Sequence, residues 1–326
     1  MDLRAYDGKV EMASNQLVFN GTSVLPESFR HPFEQNLRTT RLRSVSPWFG
    51  RVEKRFRASA HLPGRYYHLD SSNSGHFGHV MTEVLSRLWG WPLAKERFPD
   101  LKVIFRIRRE NERDPMLEKL LFGAFGIAEE DIVWSHRPVT LDGLVGATPM
   151  WHNQFDHFAH PEIRTRVWEP ITRGLAGDRP GGSERLFVSR RRDGGMNRLC
   201  RDADQVESVF ADHGFDIVYP EDYSLNDQAA LFRTARVVAG FGGSGMFNLM
   251  HCRQLDHVIV LNSEGYIARN EHLYAAVHGA QADYFWGVPD IPAVPGSWTQ
   301  ASYTSPWRFD FDRNGAALDE VLRGLG

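Results

Sequence analysis

The chain reads as an α/β protein built from two domains, and three observations predict it. Its 326 residues are ample for two hydrophobic cores. From Arg65 onward, short apolar strands alternate with helical patterns. A polar, glycine-rich segment over 176–183 (AGDRPGGS) interrupts that alternation and reads as a linker. The expected division is therefore 1–178 for the first α/β domain and 179–326 for the second.

The elements follow in order. The first 60 residues are mixed, with strand-like runs at Gln16 to Phe19 and Ser23 to Leu25 and a basic, aromatic stretch around Trp48-Phe49. Tyr66 to Leu69 reads as a strand, and the loop Ser71-Ser72-Asn73-Ser74-Gly75 leads into a helix over about 78–89. Next come a strand at Lys102 to Ile107, a helix from Asp114 to Phe125, a strand at Ile132 to Trp134 and an apolar stretch at Leu141 to Ala147. That alternation predicts a largely parallel sheet. Pro161 to Leu175 reads as a helix. The second domain has strand Arg185 to Ser189, helix Ala203 to His213, strand Asp216 to Tyr219 and helix Leu225 to Thr234. A strand at Val237 to Ala239, a glycine turn, an apolar-periodic stretch from Met246 to Leu255 and a strand at His257 to Asn262 complete a βαβ unit. An amphipathic helix, Ala316 to Leu325, ends the chain.

Composition narrows the function. The chain is 42% hydrophobic and 24% charged, with a net charge of −3, so no basic field advertises nucleic acid. Its two cysteines, Cys200 and Cys252, form no C-x-x-C pair and indicate neither a disulfide framework nor a zinc site. The first residues carry no signal pattern, and no run of 18 apolar residues occurs, so a cytoplasmic location is expected.

Three segments could carry chemistry. Gly240-Phe241-Gly242-Gly243-Ser244-Gly245 matches G-x-G-x-x-G, with Glu264 about 20 positions on. Glycines at a strand-to-helix turn let backbone approach a ligand, and the helix start offers free N–H groups to a phosphate. A dinucleotide site, another phosphate site and a tight turn that binds nothing all fit this pattern. The second segment, Gly75-His76-Phe77-Gly78-His79-Val80-Met81-Thr82-Glu83, puts His79 and Glu83 four apart on one helix face, with Arg87 continuing the stripe. General base work on a hydroxyl suits that pair. A Glu83–Arg87 surface pair, a packed His79, or a metal set of His76, His79 and Glu83 are the competing readings. In the third segment, Ser189-Arg190-Arg191-Arg192 and Arg198 follow a strand's C-terminal end, where α/β folds bind ligands and arginine suits a diphosphate. A solvated basic loop is the alternative. Around 150–160, Trp151, His152, Asn153, Asp156 and His157 could contact a sugar or simply pack.

These segments, in this order, resemble glycosyltransferase family 61. Gly78-His79-Val80-Met81-Thr82-Glu83 resembles its helix-start motif. Val188-Ser189-Arg190-Arg191, with Arg198 to Asp204, resembles its strand-end arginine segment. Gly240 to Met250 resembles its glycine turn, where Gly242 stands in place of the family's histidine. Two further departures are Asp202, where the family has asparagine, and Val260 or Leu261, where an acidic residue is common.

The resemblance implies a GT-B-like α/β fold, two Rossmann-like domains facing across a cleft, and inverting transfer without an obligatory metal or cofactor. A sugar moves from a nucleoside-diphosphate sugar, UDP foremost, to a hydroxyl acceptor. The implied catalytic residues are Glu83 or His79, which would deprotonate the acceptor. The implied nucleotide-sugar residues are Ser189, Arg190, Arg198, Gly242, Gly243, Ser244, Gly245 and Asn248, with Glu264 as a displaced acidic substitute. The expected partners are a sugar nucleotide and a carbohydrate or other hydroxyl-bearing acceptor. Two alternatives stay open: an NAD(P)-dependent oxidoreductase using Gly240 to Gly245, and a non-catalytic glycan-binding relative.

Overall fold

The computed structural model describes every residue except 14–16, 31–41, 47–48, 53–57, 59, 72, 74, 108–115, 154–155, 192–196, 267–269, 295–297 and 326. Expectations placed on Gln16, Trp48, Ser72, Ser74, Asp114 and Arg192 fall outside the described residues. The chain divides into two compact units, one of Met1–His152 with Thr165–Ile171 and one of Asn153–Arg164 with Thr172–Gly326.

The first unit holds strands β1 (Leu3–Met12), β2 (Val18–Asn20), β3 (Ser23–Val24), β4 (Leu42–Ser46), β5 (Phe49–Val52), β6 (Ala60–His68), β7 (Lys102–Arg106), β8 (Ile132–Ser135) and β9 (Val139–Ala147). Seven of them form one sheet in the order β3-β2-β1-β9-β6-β7-β8. The pairings from β9 through β6 and β7 to β8 are parallel. Antiparallel β1, β2 and β3 extend the sheet on the β9 side. In β9 only Asp142 is exposed, as befits a strand covered on both faces.

After β6 the chain becomes helical over 77–97. It passes from an α-turn (Phe77–His79) through a π-turn (Val80–Val84) and a 3-10 segment (Leu85–Gly90) into an α-helix (Trp91–Arg97). The run is longer than the sequence pattern suggested, because Pro92 falls in the first turn of the last segment, where its missing N–H costs nothing. Side chains disturb the regular ladder: Thr82 Oγ1 donates to the Gly78 carbonyl at 2.7 Å and Ser86 Oγ to that of Glu83 at 2.8 Å. Val80, Val84 and Leu88 are fully buried, as their spacing predicts. π-turns often occur at functional sites, and this one carries Glu83.

Two short strands, β10 (Trp151–His152) and β11 (Phe158–Ala159), precede the second unit's sheet. That sheet comprises β12 (Arg185–Val188), β13 (Asp216–Val218), β14 (Val237–Phe241), β15 (His257–Ser263), β16 (Gln281–Pro289) and β17 (Trp307–Arg308). Their order is β13-β12-β14-β15-β16-β17, parallel except for the last pair. The chain moves outward from β12 to β13 and then returns to the opposite side of β12 as β14. The switch point of this doubly wound sheet therefore lies between β12 and β14. Phe187, Phe241, Ile259, Leu261 and Phe285 on one face pack against Val206, Phe210, Leu318 and Leu322 of two covering helices.

Three sequence expectations shift here. The helix after the glycine turn spans Ser244–His251 and stops short of Leu255. Beyond it, the amides of Arg253 and Asp256 bond to the Arg233 and Arg236 carbonyls and lead the chain toward β15. The last helix, Phe311–Gly324, starts earlier than Ala316 because Asp310 caps it, accepting from the Arg313 amide at 3.0 Å. Segment 176–183 is fastened to its unit: a Cβ at Gly181 or Gly182 would collide with Thr234 or Leu231, and Arg233 bonds the Gly177 and Arg179 carbonyls. Gly181 and Gly182 there serve close packing, while Gly177 takes a left-handed backbone at φ 51°. Among the described residues, no helix is long and apolar enough to cross a membrane.

Candidate functional site

In the first unit, β6 delivers its C-terminal end to the start of the helical run, and a buried polar cluster forms there. Glu83 is 7% exposed. Its Oε1 accepts from His79 Nδ1 at 2.5 Å and from Arg30, and its Oε2 accepts from Ser71 Oγ at 3.0 Å. Burial pushes this carboxyl up, but the His79 hydrogen bond, the Arg30 charge and the Ser71 hydroxyl together hold it below its ordinary value. Glu83 is therefore an ionised, fully engaged carboxylate at neutral pH. The surface Glu83–Arg87 reading fails, since Arg87 is 2% exposed and donates to the Phe29 carbonyl at 2.9 Å.

His79 is the group with room to act. Its side chain is 32% exposed, and its Nδ1 is committed to Glu83. With Nδ1–H donated, Nε2 carries the lone pair. His76 lies edge-on to His79 with ring centroids 4.9 Å apart. Burial, then the His79 charge, keeps His76 below its ordinary pKa. Among the described residues, no three His, Cys, Asp or Glu side chains could hold a metal ion together. Trp151 is buried, with its ring centroid 6.0 Å from that of Trp168.

In the second unit, the ends of β12 and β14 meet at the switch point. Arg190 Nη2 donates to the Gly242 carbonyl at 2.6 Å and Nη1 to that of Asn197 at 3.2 Å. Arg198 has a left-handed backbone (φ 60°), rare for a residue with a side chain. Its guanidinium lies 4.1 Å from the Tyr266 ring centroid and 5.1 Å from that of Tyr303. Both guanidiniums press on Gly243: a Cβ there would collide with Arg190 and lie 3.2 Å from Arg198 Nη2. Gly243 itself has φ 140°, which glycine alone adopts readily. Among the described residues, no carboxylate lies within ion-pair distance of either arginine. Burial, then the charge of Arg198, lowers Arg190 to about 10.

Under this turn lies Glu271, wholly buried, whose Oε1 accepts from the Gly243 amide at 2.6 Å. Burial raises its carboxyl to about 6 against the opposing pull of backbone N–H groups and the two arginines. The Gly243 amide is thus already engaged within the protein. Ser244 is half-buried and starts the following helix, while a Cβ at Gly245 would meet Val188 at 3.3 Å. Asn248 is buried beneath the turn and ties the Gly245 carbonyl (3.1 Å) to Gln228 (2.9 Å). The Ser189 hydroxyl is spent on Glu207.

The arginine run separates by role. Arg191 leaves the site, pairing with Asp222 (Nε to Oδ1 3.0 Å) over the Tyr219 ring. Asp202 accepts from Arg308 at 3.1 Å. Glu264, after β15, is exposed and paired with Arg313 at 2.6 Å. Sequence reasoning missed Arg30 and Ser71 in the first unit and Asn262, Tyr266, Glu271 and Tyr303 in the second. Only Asn262 had a sequence signal, its place at a strand's C-terminal end.

A family model described as Glycosyltransferase 61 matches residues 77–259, more than half of the chain. That span holds His79, Glu83, Ser189, Arg190, Arg198 and the whole glycine turn. No curated protein matches the chain.

Proposed function

The chain belongs to glycosyltransferase family 61, and from that membership we propose an inverting transfer from a nucleoside-diphosphate sugar to a hydroxyl acceptor. The observation that carries the donor half is the pair Arg190 and Arg198, converging on Gly243 at a sheet switch point with no carboxylate of the described residues within ion-pair distance. Two guanidiniums held close together suit a diphosphate, whose charge grows as it leaves. A GT-B architecture belongs to the same proposal, as do Ser244 and Gly245 at the helix start beside that charge.

For the acceptor half, His79 is the base and Glu83 positions it. The acceptor O–H proton passes to His79 Nε2 as the oxygen attacks the anomeric carbon. The bond from that carbon to the diphosphate oxygen breaks in the same displacement, which inverts the configuration. Glu83 holds the ring by Nδ1 and stabilises the imidazolium that forms. Glu83, already bonded by Arg30 and Ser71, is a weak proton acceptor.

Family membership weighs against the oxidoreductase reading, and the Glu264–Arg313 pair leaves that reading without its free acidic residue. The test is a titration of UDP, GDP and NADH followed by thermal shift, with donor turnover assayed alongside. Stabilisation by a nucleoside diphosphate, with sugar transfer or donor hydrolysis, is the expected result. Tight NADH binding with no response to any nucleoside diphosphate overturns the proposal. Nucleotide binding without turnover favours the non-catalytic reading.

A further inference from the structure

The floor of the arginine site is the dipeptide Gly242-Gly243, and neither residue has a Cβ. The space over Gly243 is taken by the guanidiniums of Arg190 and Arg198. Over Gly242 it is taken by the side-chain amide of Asn262: a Cβ at Gly242 would lie 2.7 Å from Asn262 Nδ2 and 2.9 Å from its Oδ1. Asn262 stands at the C-terminal end of β15 and is 2% exposed. Its Oδ1 accepts from the Ser263 amide at 3.0 Å, which fixes the orientation of the group. Its Nδ2 is buried and has no hydrogen-bond partner among the described residues. A buried donor left unmatched costs stability, and this one stands over the same glycine pair as Arg190 and Arg198, which have no carboxylate within ion-pair distance among the described residues. Arg198 Nε is a second buried donor at the same place without a partner among the described residues.

We propose that Asn262 is the third donor of the anion site, its Nδ2 bonding a diphosphate oxygen beside Arg190 and Arg198. This rests on the donor-site reading above and adds a residue that lies beyond the family match. It also explains Gly242. The backbone there is outside the left-handed region that demands glycine. A side chain there would have to push the Asn262 amide aside, so the two positions act as one unit.

The test is calorimetric binding of inorganic pyrophosphate and of UDP to the full chain and its variants, with folding checked by thermal melts. Asn262→Ala should weaken pyrophosphate about tenfold. Asn262→Asp, which keeps the shape and the Ser263 bond but replaces the donor with an acceptor, should weaken it further. Gly242→Ala should displace the amide and match Asn262→Ala. The double variant should bind no worse than either single one, since both remove one interaction. Wild-type affinity in Asn262→Ala and Asn262→Asp, or independent, multiplying losses in the double variant, overturns the proposal. Should Arg198→Ala abolish binding while the Asn262 variants bind normally, only the Asn262 assignment falls. If the wild type binds neither probe, the donor-site reading falls and this inference with it.

Discussion

Each unit buries one glutamate at its candidate site, and the two respond to burial in opposite ways. Glu83 is held below its ordinary pKa even though burial is the largest influence on it. Glu271, equally enclosed, is raised to about 6. The difference lies in what touches the carboxylate. Glu83 receives direct side-chain bonds from His79, Arg30 and Ser71, each favouring the charged form. Glu271 takes the Gly243 amide, and its two arginines lie beyond ion-pair distance. Desolvation sets the penalty for charge, and bonded partners decide whether it is overcome. The first unit thus bonds its carboxylate to His79, Arg30 and Ser71, as the proposed base and its positioning residue require. In the second, Arg190 bonds only backbone carbonyls and Arg198 lies against two tyrosine rings, as the proposed anion site requires.

The largest expected effect breaks the comparison at the first unit. His79→Ala should lower kcat about 10³-fold, within the usual worth of a general base, while leaving UDP affinity within about twofold. Glu83→Gln should cost about 10²-fold in kcat, because the amide cannot stabilise the imidazolium. The decisive readout is the split between steady-state turnover and equilibrium binding. If Glu83→Gln falls as far as His79→Ala and nothing but the carboxylate accounts for the pH profile, Glu83 is itself the base.

At the second unit, Arg198→Ala should weaken nucleoside-diphosphate binding about 10²-fold, through lost charge-assisted hydrogen bonds. Arg191→Ala, which breaks only the Asp222 pair, should change it little. Equal losses from both would return the arginine segment to a diffuse basic loop. A smaller effect is carried by pH. Below about 6 Glu271 is neutral, and above it an anion beside the arginines competes with the ligand. Pyrophosphate should therefore bind alike to wild type and Glu271→Gln at pH 5. At pH 7.5 it should bind about fivefold more weakly to wild type. The two glutamates also differ in stability. The Glu271 contribution is present below pH 4.5 and lost as pH rises through about 6. That of Glu83 is present above 4.5 and lost as pH falls through its lowered pKa. Urea titrations against wild type, of Glu271→Gln at pH 5 and 7.5 and of Glu83→Gln at pH 3 and 5, would show these opposite signs.

Local patterns made much of this site legible. The apolar run before Gly240, the glycines and the run after them define β14, its turn and β15 without reference to anything distant. The strand-end rule picked out Arg190 and Arg198 because β12 is short and buried. Residues brought in from afar could not be read this way: Arg30 reaches Glu83 across 53 positions, and Glu271 reaches the Gly243 amide across 28. Local irregularity hid others. In β1 the pairing with β9 shifts between Asp7 and Val10, around Gly8 at φ 81°, so its side-chain alternation is broken. Gly242, read alone, is a departure from the histidine that the resemblance implies; in the fold, the Asn262 amide stands where its Cβ would be. Gly242→His should therefore be disruptive alone and better tolerated with Asn262→Ala, measured as the difference in melting temperature.

The smallest expected effect concerns Glu264, the residue that made the glycine turn look like a dinucleotide fingerprint. Its carboxylate is 42% exposed and its partner Arg313 is 50% exposed. An ion pair so open to solvent contributes about 0–1 kcal/mol to stability. A carboxylate that binds a ribose hydroxyl should instead stand free of such a partner. Glu264→Ala should then shift UDP affinity by less than about threefold and barely move the melting temperature, and Arg313→Ala should behave the same way. The sharper outcome lies in that second variant. If Arg313→Ala tightens UDP binding while Glu264→Ala weakens it, the arginine is masking a ribose ligand and the fingerprint extends further than its geometry suggests. Matching, small effects would confine donor recognition to the glycine pair and the donors standing over it.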